Sequence, residues 1–240
     1  QALELLGRDD SFDFILTMYN VGELDVFSFA KIVKERHAQI PVALLTSFSK
    51  DIYRRLEEQD RSGLDYIFGW HGNTDLIMAI IKLVEDKMNA EEDITDGGVQ
   101  AILLLKDAFN EQQQILRKRA RPKILLATNY EEAVELYDRY KKNILGVISD
   151  VGFVLHRNDP PESEKRDAGI DLCRRIKADN PLMPVLLQSS QTEFEVQARQ
   201  LGAGFIAKNS KTLLTQLHEY IDKEFAFGEF LFKDPDTGAV

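Results

Sequence analysis

Apolar residues fall into short unbroken runs separated by longer stretches of helical spacing, and this is clearest in the second half of the chain. Residues 99–105 (VQAILLL), 122–129 (PKILLATN), 144–151 (ILGVISDV), 184–188 (PVLLQ) and 204–208 (GFIAK) are near-continuous apolar runs. Such runs suit strands covered on both faces. Residues 109–119, 131–140, 169–178, 192–201 and 211–225 instead carry apolar side chains three and four apart, as in Ala133, Val134, Leu136, Tyr137 and Tyr140, and predict helices. Strands alternating with helices of this length predict a parallel sheet in a doubly wound α/β domain over about residues 98–224.

The same signals recur earlier. Residues 14–19 (FILTMY) match 146–151, 41–46 (PVALLT) match 184–189 (PVLLQS), 65–69 (DYIFG) match 204–208, and 2–5 (ALEL) match 133–136 (AVEL). A helix over 73–90 closes this half, and a polar stretch over 91–98 (EEDITDGG) follows it. The pattern predicts a first domain over 1–94 that lacks its first two strands. A linker over 95–98, a second domain over 99–224 and a tail over 225–240 complete it. In the strand order 2-1-3-4-5 the run 14–19 would be the third strand, and without the first its edge would be bare. The chain also opens at Gln1 inside a helix, so either preceding residues or another chain, such as a second copy in a homodimer, is expected to cover that edge.

Composition removes several classes of function. Forty acidic against 30 basic residues give a net charge of -10, which argues against a general binder of nucleic acid or anionic membranes. The basic run Arg117, Lys118, Arg119, Arg121 and Lys123 lies at a helix end, where cations offset the dipole, and no aromatics interleave with it. The longest apolar run, 76–84, is broken by Lys82 and falls well short of the roughly 20 residues of a membrane span. Cys173, the single cysteine, forms no internal disulfide and reads as core, and a reducing cytoplasm is the simplest compartment. His37, His71, His156 and His218 lack metal-ligand spacing, and there is no Gly-rich phosphate loop, GxSxG elbow or HExxH.

Chemistry enters at three strand ends. Asp150 ends VISD, Ser189 ends PVLLQS and Lys208 ends GFIAK. Ligands of open α/β sheets bind at the carboxyl ends of the strands, so the three side chains should converge. A carboxylate can attack phosphorus, an ammonium can pair with the transferred oxygens, and a hydroxyl can donate to them.

On these residues, 98–224 resembles the receiver domain of two-component response regulators, and 1–94 resembles it more weakly. The resemblance implies two CheY-like, flavodoxin-like domains with strand order 2-1-3-4-5, the first incomplete. It implies that Asp150 is the phosphoacceptor, that Mg2+ binds with Asp150 and the backbone carbonyl of Gly152 among its ligands, and that Phe205 is the aromatic whose rotamer reports phosphorylation. A histidine kinase or another phosphodonor would be the upstream partner. A fused or partner output domain would be the target, regulated by protein contact in a signalling phosphorelay rather than by enzymatic activity. Departures from the family are also visible. Leu105 is followed by Lys106 and Asp107 where receivers carry an acidic pair, and Lys208 is followed by Asn209 instead of proline. In the first half Met18 stands at the acceptor position and Gly69 at the lysine position, while Thr46 survives, the pattern of a pseudo-receiver. The tail at 227–232 (FGEFLF) is similar to the joint that precedes a pyruvate phosphate dikinase or phosphoenolpyruvate synthase region. The rival readings are a phosphorylation-independent scaffold or dimerisation unit, and a flavodoxin-like domain that binds a small molecule in the same cleft.

Overall fold

The computed structural model describes residues 2–9, 11–22, 24–46, 59–70, 72, 74–105 and 122–225. The chain forms two compact units, Gln1–Glu85 and Asp86–Val240.

In the first unit α1 (Ala2–Leu6) is followed by β1 (Ile15–Met18), a short hairpin of β2 (Asn20–Val21) and β3 (Leu24–Asp25), α2 (Val26–Arg36), β4 (Val42–Thr46), β5 (Tyr66–Gly69) and α3 (Asp75–Met88). The strands β1, β4 and β5 form a parallel sheet in that order, which corresponds to strands 3, 4 and 5 of a doubly wound domain. Asp25 starts α2 by accepting the amides of Phe27 and Ser28, which leaves Phe29, Ala30 and Val33 to pack against Val42 and Leu44. Among the described residues β1 pairs with β4 alone, and Met18 at its end is 55% exposed. The hairpin was not anticipated; it turns at Gly22, whose φ of 66° is a conformation that glycine adopts without strain.

In the second unit β6 (Ala101–Leu105), β7 (Lys123–Ala127), α4 (Tyr130–Tyr140), β8 (Ile144–Asp150), α5 (Ala168–Asp179), β9 (Val185–Ser189), α6 (Phe194–Gln200), β10 (Gly204–Ala207) and α7 (Leu213–Glu224) alternate along the chain. All strand pairs are parallel, in the order β10-β9-β8-β6-β7, which read from the β7 edge is 2-1-3-4-5. This is the flavodoxin-like, doubly wound order expected from the sequence. Leu103, Leu125, Val147 and Leu187 on one face pack with Ala133 and Tyr137 of α4 and with Ile170, Cys173 and Ile176 of α5. Burial pushes the Cys173 thiol up to about 11, so it remains a neutral core group. Helix α7 lies on the β8–β10 part of the sheet, where Gly146 and Gly204 leave room for the rings of Phe225 and Tyr220, and the Tyr220 hydroxyl donates to the Val185 carbonyl at 2.9 Å.

The domain boundary falls earlier than the polar stretch suggested. The two units divide between Glu85 and Asp86, inside α3, and Glu91–Asp96 forms a π-helical turn instead of an open linker. Its Ile94 is buried in the core of the second unit. Asp86 accepts the Ile124 amide at 2.9 Å, and Lys123 pairs with Asp86 at 3.4 Å and with Asp93. These acidic residues therefore cap the edge strand β7, which a bare edge would leave open to pairing with other chains. The expected helix over 109–119, the basic run up to Arg121, Asp107 and the tail joint at 227–232 lie outside the described residues.

The start of α4 carries a testable pH dependence. Asn129 caps it by accepting the Glu132 amide, and Glu132 reaches back to the amide and hydroxyl of Thr128 at 2.8 and 3.0 Å. Burial raises the Glu132 carboxyl, but the Lys87 ammonium at 2.9 Å and the Thr128 donors outweigh it and hold the group below the usual glutamate range. A carboxyl lowered on folding stabilises the fold above its unfolded pKa, and that contribution is lost as pH falls through its folded value. The Glu132→Gln variant should therefore be less stable in urea at neutral pH. The gap to the unaltered chain should narrow as pH falls below the usual glutamate range and through the lowered folded value.

Candidate functional site

The carboxyl ends of β8, β9 and β10 deliver the three residues that the strand pattern singled out. Asp150 is the last residue of β8 and only 3% exposed. Lys208 directly follows β10, donates its backbone N–H to the Ser189 carbonyl at 2.9 Å, and places its Nζ 2.8 Å from Asp150 Oδ1. Ser189 ends β9, and its hydroxyl accepts the Gln191 amide at 3.0 Å, which fixes the turn beside the carboxylate. The three side chains line one open cleft of about 200 Å³ with Gly152, so the convergence expected from the strand ends is realised. Phe205 is half-buried against the main core of this unit.

The cleft residues not singled out in the sequence include Gln188, Glu164 and Arg166. Glu164 and Arg166 come from the long β8–α5 connection, which folds back on itself through paired backbone hydrogen bonds between Phe153 and Lys165 at 3.1 and 3.3 Å. Lys165 bonds Asp171 on α5, and this contact holds the Asp171 carboxyl below the usual range. Arg166 reaches Gln191 at 3.3 Å, and Glu164 Oε1 lies over Gly152, in space that any side chain at 152 would fill. Nothing local in the sequence shows where such a loop returns. Gln188 did carry a signal, as the one polar side chain interrupting the apolar run PVLLQS before its terminal serine. It is fully buried.

The first unit repeats the geometry without the chemistry. Its Ile15 amide donates to Pro41 at 2.9 Å as the Val147 amide donates to Pro184 at 2.9 Å, which puts Met18 at the register position of Asp150 and Thr46 at that of Ser189. The third position needs correction. Thr46 pairs with Gly69 as Ser189 pairs with Ala207, and the Trp70 amide donates to the Thr46 carbonyl at 2.8 Å as the Lys208 amide does to Ser189. Trp70, not Gly69, therefore stands where Lys208 stands. The offset arises at Asp65, which lies outside the strand and uses its carboxylate to accept the Val42 amide at 2.8 Å, so β5 begins one residue later than the run DYIFG suggested. Met18 offers no anionic oxygen and Trp70 no cation, so at these register positions the unit has neither a phosphoryl acceptor nor its ammonium partner.

In the second unit, Asp150, Glu164 and the Gly152 carbonyl are oxygen donors of the hard type that suits Mg2+. Among the described residues no group of three His, Cys, Asp or Glu side chains is placed to hold a metal by itself. That donor set still fits Mg2+, which commonly takes one or two carboxylates and completes its shell with water and phosphoryl oxygens.

No protein-family model matches the chain, and no curated protein matches it. Among solved structures, a response regulator receiver domain protein from Clostridium thermocellum is 20% identical, covering 53% of this chain and 95% of that one, with a TM-score of 0.41. The chemotaxis response regulator CheY4 of Vibrio cholerae is 18% identical over 51% of this chain and 98% of its own, with a TM-score of 0.38. The CheX-CheY-BeF3-Mg2+ complex from Borrelia burgdorferi is 18% identical over 56% of this chain and 95% of the other, with a TM-score of 0.39. These neighbours are response regulator receiver domains of the CheY type, and the fold itself rests on the strand order 2-1-3-4-5 of the second unit.

Proposed function

We propose that the chain is a tandem receiver module of a phosphorelay, in which the second unit accepts a phosphoryl group on Asp150 and the first, a pseudo-receiver, contributes surfaces. The observation that carries this reading is the buried Asp150 carboxylate, set 2.8 Å from the Lys208 ammonium at the carboxyl edge of a doubly wound sheet.

An Asp150 oxygen attacks the phosphorus of a phosphohistidine on a kinase, or of a small acyl phosphate. A new O–P bond forms while the P–N or P–O bond to the donor breaks, and the leaving group departs with the bonding pair. Lys208 orients the carboxylate beforehand and then pairs with the transferred oxygens, toward which the Ser189 hydroxyl also donates. Asp150, Glu164 and the Gly152 carbonyl would hold Mg2+, which when bound neutralises phosphoryl charge. The consequence is a change of surface read by a fused or partner output domain, so the module regulates by contact rather than by turnover. Met18 at the acceptor position of the first unit favours a scaffold role for that half. None of the described helices is long and apolar enough to cross a membrane.

Incubating the 240-residue chain with acetyl phosphate and Mg2+ should add one hydroxylamine-sensitive adduct of about 80 Da by intact mass. A chain that stays unmodified under these conditions, and whose melting is unmoved by beryllofluoride with Mg2+, would leave the second unit a scaffold like the first.

A further inference from the structure

The cleft contains a polar group that the phosphoacceptor reading does not yet use. Gln188 is completely buried, and neither its Nε2 nor its Oε1 has a hydrogen-bond partner among the described residues. A buried carboxamide left unsatisfied is costly, and such groups in folded proteins are rare enough to call for a ligand or a role. Its place in the sheet says what that ligand is. Strands β8 and β9 pair in register, with Ile148 opposite Leu186 and Asp150 opposite Gln188. Partners on neighbouring parallel strands leave the sheet from the same face about 5 Å apart, so the Gln188 side chain stands beside that of the acceptor. Leu187, the next residue back, points to the opposite face, into the core with Cys173. Asp150 and Gln188 both line the cleft.

We infer that the Gln188 carboxamide is a receptor for the phosphoryl group carried by Asp150. Its Nε2 donates to a phosphoryl oxygen once that oxygen arrives, so a donor unsatisfied in the unmodified protein is satisfied in the modified one. This inference rests on the phosphoacceptor reading and adds a residue to it. The device biases the site toward its occupied state, because the empty state bears the cost of the bare Nε2 donor and the occupied state does not.

Beryllofluoride with Mg2+ serves as the probe, titrated into the unaltered chain, the Gln188→Met variant and the Gln188→Leu variant, with binding followed by 19F NMR. Thermal melting is recorded for each protein without the probe. Both apolar replacements keep the volume of the strand position and remove the bare amide, so the probe-free melting temperature should rise by a few degrees. Beryllofluoride affinity should fall about tenfold, the loss of one hydrogen bond to a charged group. A merely structural role for Gln188 moves the first measurement and not the second. Affinity within twofold of the unaltered chain in both folded variants overturns the inference while leaving the phosphoacceptor reading intact. If the unaltered chain itself binds no beryllofluoride, both fall together.

Discussion

The Asp150→Asn variant is expected to give no acetyl-phosphate adduct at all, while keeping the fold and its melting temperature within a few degrees. Asparagine has nearly the shape of aspartate but no anionic oxygen to attack phosphorus, so the chemical step is lost. Stability changes little because the substitution removes a buried charge together with its pairing. The charge left behind is the Lys208 ammonium, whose side chain is 23% exposed and can turn to water, so no buried charge is stranded. The Lys208→Ala variant should behave in the opposite way. It keeps the nucleophile, so an adduct still forms, but it withdraws the ammonium 2.8 Å from a carboxylate only 4% exposed. Breaking a buried pair from one side costs about 3–5 kcal/mol, and the partial exposure of Lys208 puts this case near about 3 kcal/mol. The adduct should form more slowly in Lys208→Ala, and the rise in melting temperature caused by beryllofluoride should shrink. Intact mass and thermal melting on the two variants separate the roles: one variant is inert and stable, the other reactive and unstable. Labelling of Asp150→Asn at the rate of the unaltered chain would place the acceptor elsewhere.

Much of this site was legible because its parts lie at the ends of apolar runs. VISD, PVLLQS and GFIAK each end in a side chain that strand polarity alone sends to the same edge, and parallel pairing needs no further information to bring the three together. What local sequence could not supply was long-range. Glu164 and Arg166 reach the cleft only because Phe153 and Lys165 bond across a loop, a contact with no periodic signature. The stretch 91–98 reads as a linker because it is polar and ends in Gly97 and Gly98. Yet Ile94 within it is a core residue, and Asp93 is occupied by Lys123 of an edge strand. The offset at Trp70 is of the same kind. Asp65 mimics a strand residue in the alignment while acting as a side-chain acceptor for the neighbouring strand. In each case a side chain contacting a distant backbone overrode the local pattern, while the apolar runs that set the sheets were unaffected.

The packing of α5 against the acceptor strand supplies the sharpest test of the fold. Gly169, in the first turn of α5, donates its amide to the Val151 carbonyl at 2.8 Å, so the helix starts directly against the end of β8. A Cβ at this position would lie 2.2 Å from the Asp150 carbonyl oxygen and 2.9 Å from the Val151 Cα. Both are backbone atoms that cannot rotate away. Helix propensity works the other way, since alanine is favoured over glycine by up to about 1 kcal/mol within a helix. The clash decides the sign, because overpacking against fixed atoms costs about 1–3 kcal/mol or more, and here it also stretches the Gly169 to Val151 hydrogen bond and lifts Ile170 and Cys173 from the sheet. The Gly169→Ala variant should therefore be destabilised by about 2 kcal/mol net, a fall of roughly 4–8 °C in the melting of a unit of this size. Gly146→Ala makes a useful comparison, since its Cβ would meet the Phe225 ring, a side chain that can swing aside, and its penalty should be smaller. The two variants should also differ chemically. Gly169→Ala displaces the residue that bears the acceptor, so its acetyl-phosphate labelling should slow even at temperatures where it remains folded, whereas Gly146→Ala, four residues back along β8, should label at the rate of the unaltered chain. Equal melting and equal labelling in both variants would mean that α5 does not seat on the acceptor strand as described, and that the geometry around Asp150 is set by something other than this contact.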